Sequence, residues 1–443
     1  MTGGPGGTEQ PLRGGPVRVL ALRILRSRVA RQVGALAGAR GAAAAISFLW
    51  LALAARSLSL PEFADLALLL SLGAVTSVVA DFGYTLLLNE AVAAEPAKAW
   101  STLTVVIRRR LALALVASMV MAGLYRLAAG DGRWVLAAVF AVSILATTWH
   151  TSCSAALRGA VSVVPEAANE VASRALVLLL GAGVLATGAG LLGVVAIYAV
   201  ADVISAVGLT LVAWRRLPRN GSPDRPRFGL GRVVPLGLAS VAAVVYYRID
   251  IWLLAVMSTA GEVARYSISY RMLDVLILPA GAMAAVSIGS TARLDNRSAI
   301  RRTDRMVAVA SICLLPAIAA LALFPGSLLQ LAFGSSYGPG GPVLRILALA
   351  IPPSVAVVLW APLVALRGKG LLGVTVGSLA ANLACNLALI PGLGAEGAAL
   401  ATVLGQTAFA IVLRLRLRAV GTDTAEPPAS HPEGALHLTV GPG

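Results

Sequence analysis

The chain has 443 residues, of which 58% are hydrophobic and only 13% charged, with a mean hydropathy of +0.85. A soluble domain of this length has no use for so much apolar sequence, so the composition defines an integral membrane protein. The net charge of +16 does not signal nucleic acid, because the basic residues fall between apolar segments instead of gathering in one domain.

Residues 1–33 begin with a Gly- and Pro-rich stretch expected to be disordered. Residues 17–33 then alternate apolar clusters with Arg18, Arg23, Arg26, Arg28 and Arg31, the pattern of a basic interfacial helix on an anionic leaflet. Ala52-Leu53-Ala54 resembles a signal-cleavage site, but a second apolar run follows at once, and the segment is read as retained.

Twelve apolar stretches follow, at about 34–55, 64–88, 110–129, 133–157, 171–188, 190–213, 233–257, 266–290, 306–324, 343–366, 371–390 and 396–417. Each is close to the ~20 residues a helix needs to cross the hydrocarbon. Arginines crowd alternate connections, including Arg108 to Arg110, Arg215 to Arg232 and Arg293 to Arg305, and the last stretch ends in Arg414, Arg416 and Arg418. The opposite connections hold only Arg56, Arg126, Arg133 and Arg265, which predicts that both termini are cytoplasmic.

Residues 214–232, rich in Pro and Arg, read as a cytoplasmic linker between a six-helix lobe at 34–213 and a second at 233–418; 419–443 form a disordered cytoplasmic tail. Related Gly patterns at 190–194 and 394–398 suit two lobes of the same orientation. The expected fold is therefore all-α, with about 12 transmembrane helices in two six-helix lobes.

Chemical motifs are scarce. Gly188 to Gly193 matches G-x-G-x-x-G, but the flanks are apolar helices and the stretch reads as a turn. No Walker motif, paired-carboxylate site or nucleophile elbow occurs, and Cys153, Cys313 and Cys385 stand apart from one another and from histidine. The reading is a transporter and not an enzyme, with no catalytic residue, metal site or cofactor.

The informative residues are charges inside the apolar stretches. Lipid-facing charge costs roughly 2.5–3.5 kcal/mol on insertion scales, so Arg40, Asp81, Asp202, Arg248, Asp250, Arg271 and Asp274 are expected to face protein or water. Arg271 and Asp274 are spaced to pair along one helix face. On a continuous helix Arg248 and Asp250 would be about 200° apart, unable to act as one site. Arg40, Arg248 and Arg271 are candidates for a cationic cavity, since guanidinium matches phosphate oxygens bidentately. Asp81, Asp250, Asp274, Asn382 and Asn386 are candidates for the cavity wall or for helix pairing. Asp81, with Asn89 and Glu90 beyond it, could cap the cytoplasmic entrance or serve as an ordinary helix-end residue.

Several stretches, in this order, resemble the Wzx-type oligosaccharide flippases of the multidrug/oligosaccharidyl-lipid/polysaccharide exporter superfamily. They are Arg56-Ser57-Leu58 with Pro61-Glu62-Phe63, Asp81-Phe82-Gly83, Arg248-Ile249-Asp250, Tyr266 to Arg271, Phe333 to Tyr337, and Asn382 through Gly394-Ala395-Glu396-Gly397. Ala64 departs from the family's usual Gly, and Ala282 to Ile288 lacks a Pro often found late in the eighth span. The resemblance implies a V-shaped alternating-access bundle in the plasma (inner) membrane. It implies transfer of undecaprenyl-pyrophosphate-linked oligosaccharide to the outer leaflet, for cell-surface polysaccharide synthesis. Expected partners are that lipid-linked oligosaccharide and membrane lipids, with a polysaccharide polymerase and glycosyltransferases as neighbours and no nucleic acid. A coupling ion, H+ or Na+, is left open. The rival readings are a multidrug/cation antiporter of the same superfamily and a non-transporting scaffold of envelope assembly.

Overall fold

Every regular element among the described residues is helical, as a backbone without water to satisfy it requires. The computed structural model describes residues 28–129, 133–160, 163–219, 230–291, 294–367 and 371–422. The first part holds α1 (Arg28–Ser57), α2 (Leu60–Asp81), α3 (Tyr84–Ala94), α4 (Ala99–Ala129), α5 (Trp134–Ala160), α6 (Val164–Ala186) and α7 (Gly190–Arg216). The second holds α8 (Leu230–Tyr246), α9 (Ile249–Met257), α10 (Ala260–Thr291), α11 (Asn296–Leu323), α12 (Pro325–Phe333), α13 (Gly341–Ala348), α14 (Ile351–Arg367) and α15 (Leu371–Thr422).

Local chemistry sets several boundaries. Ser59 and Glu62 form a capping box at the start of α2, with Pro61 in the first turn, where its missing N–H costs nothing. Phe82, in the left-handed region at φ 42°, and Gly83, at φ 81°, separate α2 from α3. The G-x-G-x-x-G stretch is a turn between α6 and α7, with Gly188 at φ 71° and Gly190 at φ 61°. Asp295 caps α11 by accepting the Ser298 amide at 3.0 Å, and hydrogen bonds from the Ser298 side chain and from that amide hold its carboxyl below the usual aspartate range.

Eight helices among the described residues are long and apolar enough to cross a membrane, or ten if α8 with α9 and α13 with α14 are each one bent span. The expectation of twelve rests on two further features. One is α10, which is long but carries Glu262, Arg265, Arg271 and Asp274. The other is α15, which folds back on itself at Gly394 (φ 55°, ψ −130°). A Cβ at Gly397 would lie 2.4 Å from the Leu389 carbonyl oxygen, and one at Gly405 would lie 2.7 Å from Asn382 Nδ2. Val374 joins the same apolar cluster as Leu413. Each pairing is centred near residue 394, so α15 is an antiparallel hairpin.

The terminal boundaries differ from the sequence reading. Residues 28–33 belong to α1, α7 runs to Arg216 and α15 to Thr422. The rest of the expected interfacial helix, most of the linker and most of the tail lie outside the described residues. The start of α4 also moves: Arg108 to Arg110, read as a connection, sit inside a helix that begins at Ala99.

The two parts meet along α2, which packs on α8, α9 and α10. At its first turn Phe63 stacks edge-on against Tyr337, with centroids 5.7 Å apart. In its middle Ser71 accepts from Trp252 Nε1 at 3.0 Å. At its far end the Phe82 ring covers Gly237, where a Cβ would come within 2.5 Å of it.

Candidate functional site: a cationic pocket between the two halves

Arg248 lies where α8 stops and α9 begins, at a bend of 47°. Tyr247 and Arg248 form a turn between the two helices, so the single helix on which Arg248 and Asp250 would be 200° apart does not exist. The break lets Asp250 enter the first turn of α9, accepting the Ile251 amide at 2.9 Å, where the positive helix end favours a carboxylate. Asp250 also accepts from the Tyr266 hydroxyl of α10, which is 3.0 Å from Thr402 of α15. Buried and doubly bonded, Asp250 ties three helices together and is not a free wall of the cavity.

Arg248 and Arg271 line one enclosed space of about 10 Å³ between α1, α2, α9 and α10, with Ser71, Ser267 and Tyr270 among its other walls. That volume is at the threshold for a single water, so the pocket is shut in this conformation. Arg271 bonds Asp274 at 3.3 Å, one turn along α10, and both side chains keep 35% of their surface accessible. Arg248 is different. Half-buried, its guanidinium makes no hydrogen bond or ion pair within the described residues; only its backbone is engaged, the N–H donating to the Val245 carbonyl at 3.0 Å and the carbonyl accepting from Ser71 at 3.5 Å.

The other candidates fall elsewhere. Arg40 does not join this pocket: it is 58% exposed and reaches Glu166 at 3.4 Å, a carboxylate that also holds Arg158 at 3.2 Å. Its position on α1 is too near the arginine-rich rim to meet Arg248. Asp81 pairs with Arg110 of α4 at 3.0 Å and accepts the Thr85 amide at 3.1 Å, so it secures the α2–α3 break. Asn382 and Asn386 are buried and bond each other along one limb of α15, Nδ2 of Asn386 donating to Oδ1 of Asn382 at 3.0 Å.

Sequence reasoning passed over Arg110, because three consecutive arginines look like a solvated connection. Successive residues on a helix turn by about 100°, and here the third points inward to Ser152 at 2.5 Å and Thr151 at 3.2 Å. The signal was available in Thr151-Ser152, adjacent hydroxyls inside an apolar stretch. Asp202 accepts from Ser143 and lies 3.9 Å from His150, a second polar cluster between α5 and α7.

An all-helical bundle with apolar outer faces and an unpaired cation in a closed pocket between its halves has the makings of a membrane transporter. Residues 29–288 match the sequence profile of the polysaccharide biosynthesis protein family, and the chain belongs to that family. It is 26% identical over 173 residues to a probable low-salt glycan biosynthesis flippase, Agl15, of Haloferax volcanii, a match spanning 38% of this chain and 37% of that relative. Its fold is that of two solved transporter types. The lipid II flippase MurJ in an inward closed conformation matches with a TM-score of 0.72 at 12% identity, over 86% of this chain and 87% of that one. An inward-facing multidrug resistance MATE family transporter matches with a TM-score of 0.65 at 16% identity, over 92% and 99%.

Proposed function

We propose that this protein translocates an undecaprenyl-pyrophosphate-linked oligosaccharide from the cytoplasmic to the outer leaflet of the plasma membrane, for surface polysaccharide synthesis. The observation that carries the reading is the unpaired Arg248 guanidinium, facing one small pocket together with Arg271. A cation kept in the interior with no carboxylate at ion-pair distance among the described residues suits an anionic ligand, and a bidentate donor suits phosphate oxygens. Two arginines at the pocket disfavour a cationic drug as substrate. The twelve-span, two-lobe arrangement with both termini cytoplasmic belongs to the same reading. The pocket opens when α2 and the second half part at the arginine-rich end, and the lipid tail stays in the bilayer. At ~100 mV, inside negative, each negative charge carried outward releases ~2.3 kcal/mol, so the direction is favourable.

The test is translocation of a fluorescent lipid-linked oligosaccharide in proteoliposomes, read as the fraction reached by an external quencher. Wild type is expected to equilibrate the label. Arg248→Ala should slow it by about tenfold or more, the loss of one charge-assisted hydrogen-bonding group, while Arg248→Lys retains part of the rate. Arg271→Ala should behave like Arg248→Ala. Full rates in both alanine variants, with normal insertion, would refute the assignment.

A further inference from the structure

A groove of about 750 Å³ runs along the outside of the first half, well away from the cationic pocket. Its floor is α5 and its walls are α4 and α7, both of which pack on α5 but not comparably on each other. Leu111 and Leu115 line one wall, Val203 and Val207 the other, and Ala146 and Trp149 the floor. The polar groups here are already satisfied: Trp149 Nε1 donates to Thr210 Oγ1 at 2.7 Å, and Thr210 donates to the Ala206 carbonyl at 2.6 Å. Nothing in the groove asks for a hydrogen bond, so its occupant is hydrocarbon.

The arginine-rich end of the groove carries the opposite chemistry. Arg108 lies three residues before Leu111 and seven before Leu115, on the same face of α4, and is exposed. On α7, Trp214 is one turn past Thr210 on the groove face, 51% exposed, with the Arg219 guanidinium 4.3 Å above its ring. Arg219 is also 5.5 Å from Trp100 at the start of α4, so it bridges the mouth from one wall toward the other. Tryptophan at this level is an interfacial anchor, and the arginine-rich end supplies a cation from each wall, Arg108 on α4 and Arg219 just past α7, which complement a phosphate at headgroup depth.

We infer that the groove is a binding site for one anionic phospholipid of the arginine-rich leaflet, an acyl chain lying on α5 and its phosphate between Arg108 and Arg219. The complementarity selects a lipid with a net negative headgroup over a zwitterionic one with the same chains.

Native mass spectrometry of the full chain from neutral detergent tests this with equimolar palmitoyl-oleoyl phosphatidylglycerol and phosphatidylcholine. One phosphatidylglycerol should be retained over phosphatidylcholine by about tenfold. The exposed pair Arg108→Gln and Arg219→Gln should abolish the preference. Ala206→Phe, which fills the groove from its wall, should lower retention of both lipids. Equal retention of the two lipids by wild type overturns the proposal, as does retention that ignores Ala206→Phe, which would mean adsorption to surface arginines alone. Displacement of phosphatidylglycerol by equimolar undecaprenyl phosphate also overturns it, assigning the groove to the carrier lipid. None of these outcomes depends on the cationic pocket or on transport.

Discussion

The arginines divide by whether a partner meets them. Arg133 is held by Asp65, and Arg56 donates to the carbonyls of Leu331 and, at 3.1 Å, Ala332, closing the end of α12. Two of the four arginines on the sparsely charged side are thus structural, which explains why they survive there against the charge bias. Arg110 is the deepest case, its side chain 3% accessible while its partner Asp81 is 26% accessible. That asymmetry fixes the order of a mutant series. Removing the partner of a buried charge costs about 3–5 kcal/mol, so Asp81→Ala, which strands Arg110, should lower the melting temperature more than Arg110→Met, which leaves Asp81 near water. The double variant should recover most of the loss of Asp81→Ala. Equal melting shifts for the two single variants would show that Ser152 and Thr151 alone suffice for Arg110. The charges within apolar runs were legible in the sequence as costly residues, and so was the local pair Arg271 with Asp274, but partners on other helices were not, because Arg40 with Glu166 and Asp81 with Arg110 are contacts between helices distant in the chain.

Helix existence was written in the apolar runs, whereas helix breaks were written only where glycine or proline marks them. Gly188 and Gly190 announced the α6–α7 turn. The turn at Tyr247 and Arg248 had no such marker, since Val244 to Leu254 reads as one uninterrupted run. What holds the break is tertiary: Asp250 bonded to Tyr266 on one side and Ser71 meeting Trp252 on the other. The family-like Arg-Ile-Asp element therefore straddles a helix start, with the aspartate serving the helix and the arginine left over for the pocket. Gly394 is the contrasting break, fixed by its own residue. A Cβ there would lie 2.2 Å from the Glu262 carboxylate, and its φ of 55° with ψ of −130° is a glycine conformation. Gly394→Ala should destabilise by roughly 1–3 kcal/mol from backbone strain, with the carboxylate contact added. Gly392→Ala, two residues away with open space around its Cβ, should be silent in the same thermal melt. Matching shifts would mean that the hairpin tolerates either residue.

At the level of the whole molecule, α2 touches the second half at both ends and in the middle, and the pocket between is closed. The two end contacts differ in kind. At the Pro61 end, Phe63 with Tyr337 and Phe48 with Phe333, at 5.4 Å, join two large apolar pairs beside the Arg56 bonds to α12. At the Phe82 end the seal is a single ring on a glycine, with Leu236 against Gly83 beside it. That end lacks the paired aromatic rings and the arginine–carbonyl bonds of the other, so it is the one expected to part first, and the accessibility of Arg271 and Asp274 on the pocket's flank fits an opening there. Gly237→Leu puts a side chain where Phe82 now lies and should wedge the halves apart without touching either arginine. Ser267 supplies a reporter: it lines the pocket, is buried, and its hydroxyl bonds nothing among the described residues, so Ser267→Cys loses no contact. In a background lacking Cys153, Cys313 and Cys385, a membrane-impermeant thiol reagent added from the arginine-rich side should label the Ser267→Cys variant several-fold faster when Gly237→Leu is present. Reagent added from the other side should show no gain, because the aromatic seal at Phe63 is unchanged. Acceleration from that second side instead would place the weaker seal at the aromatic end and reverse the assignment of which face opens first.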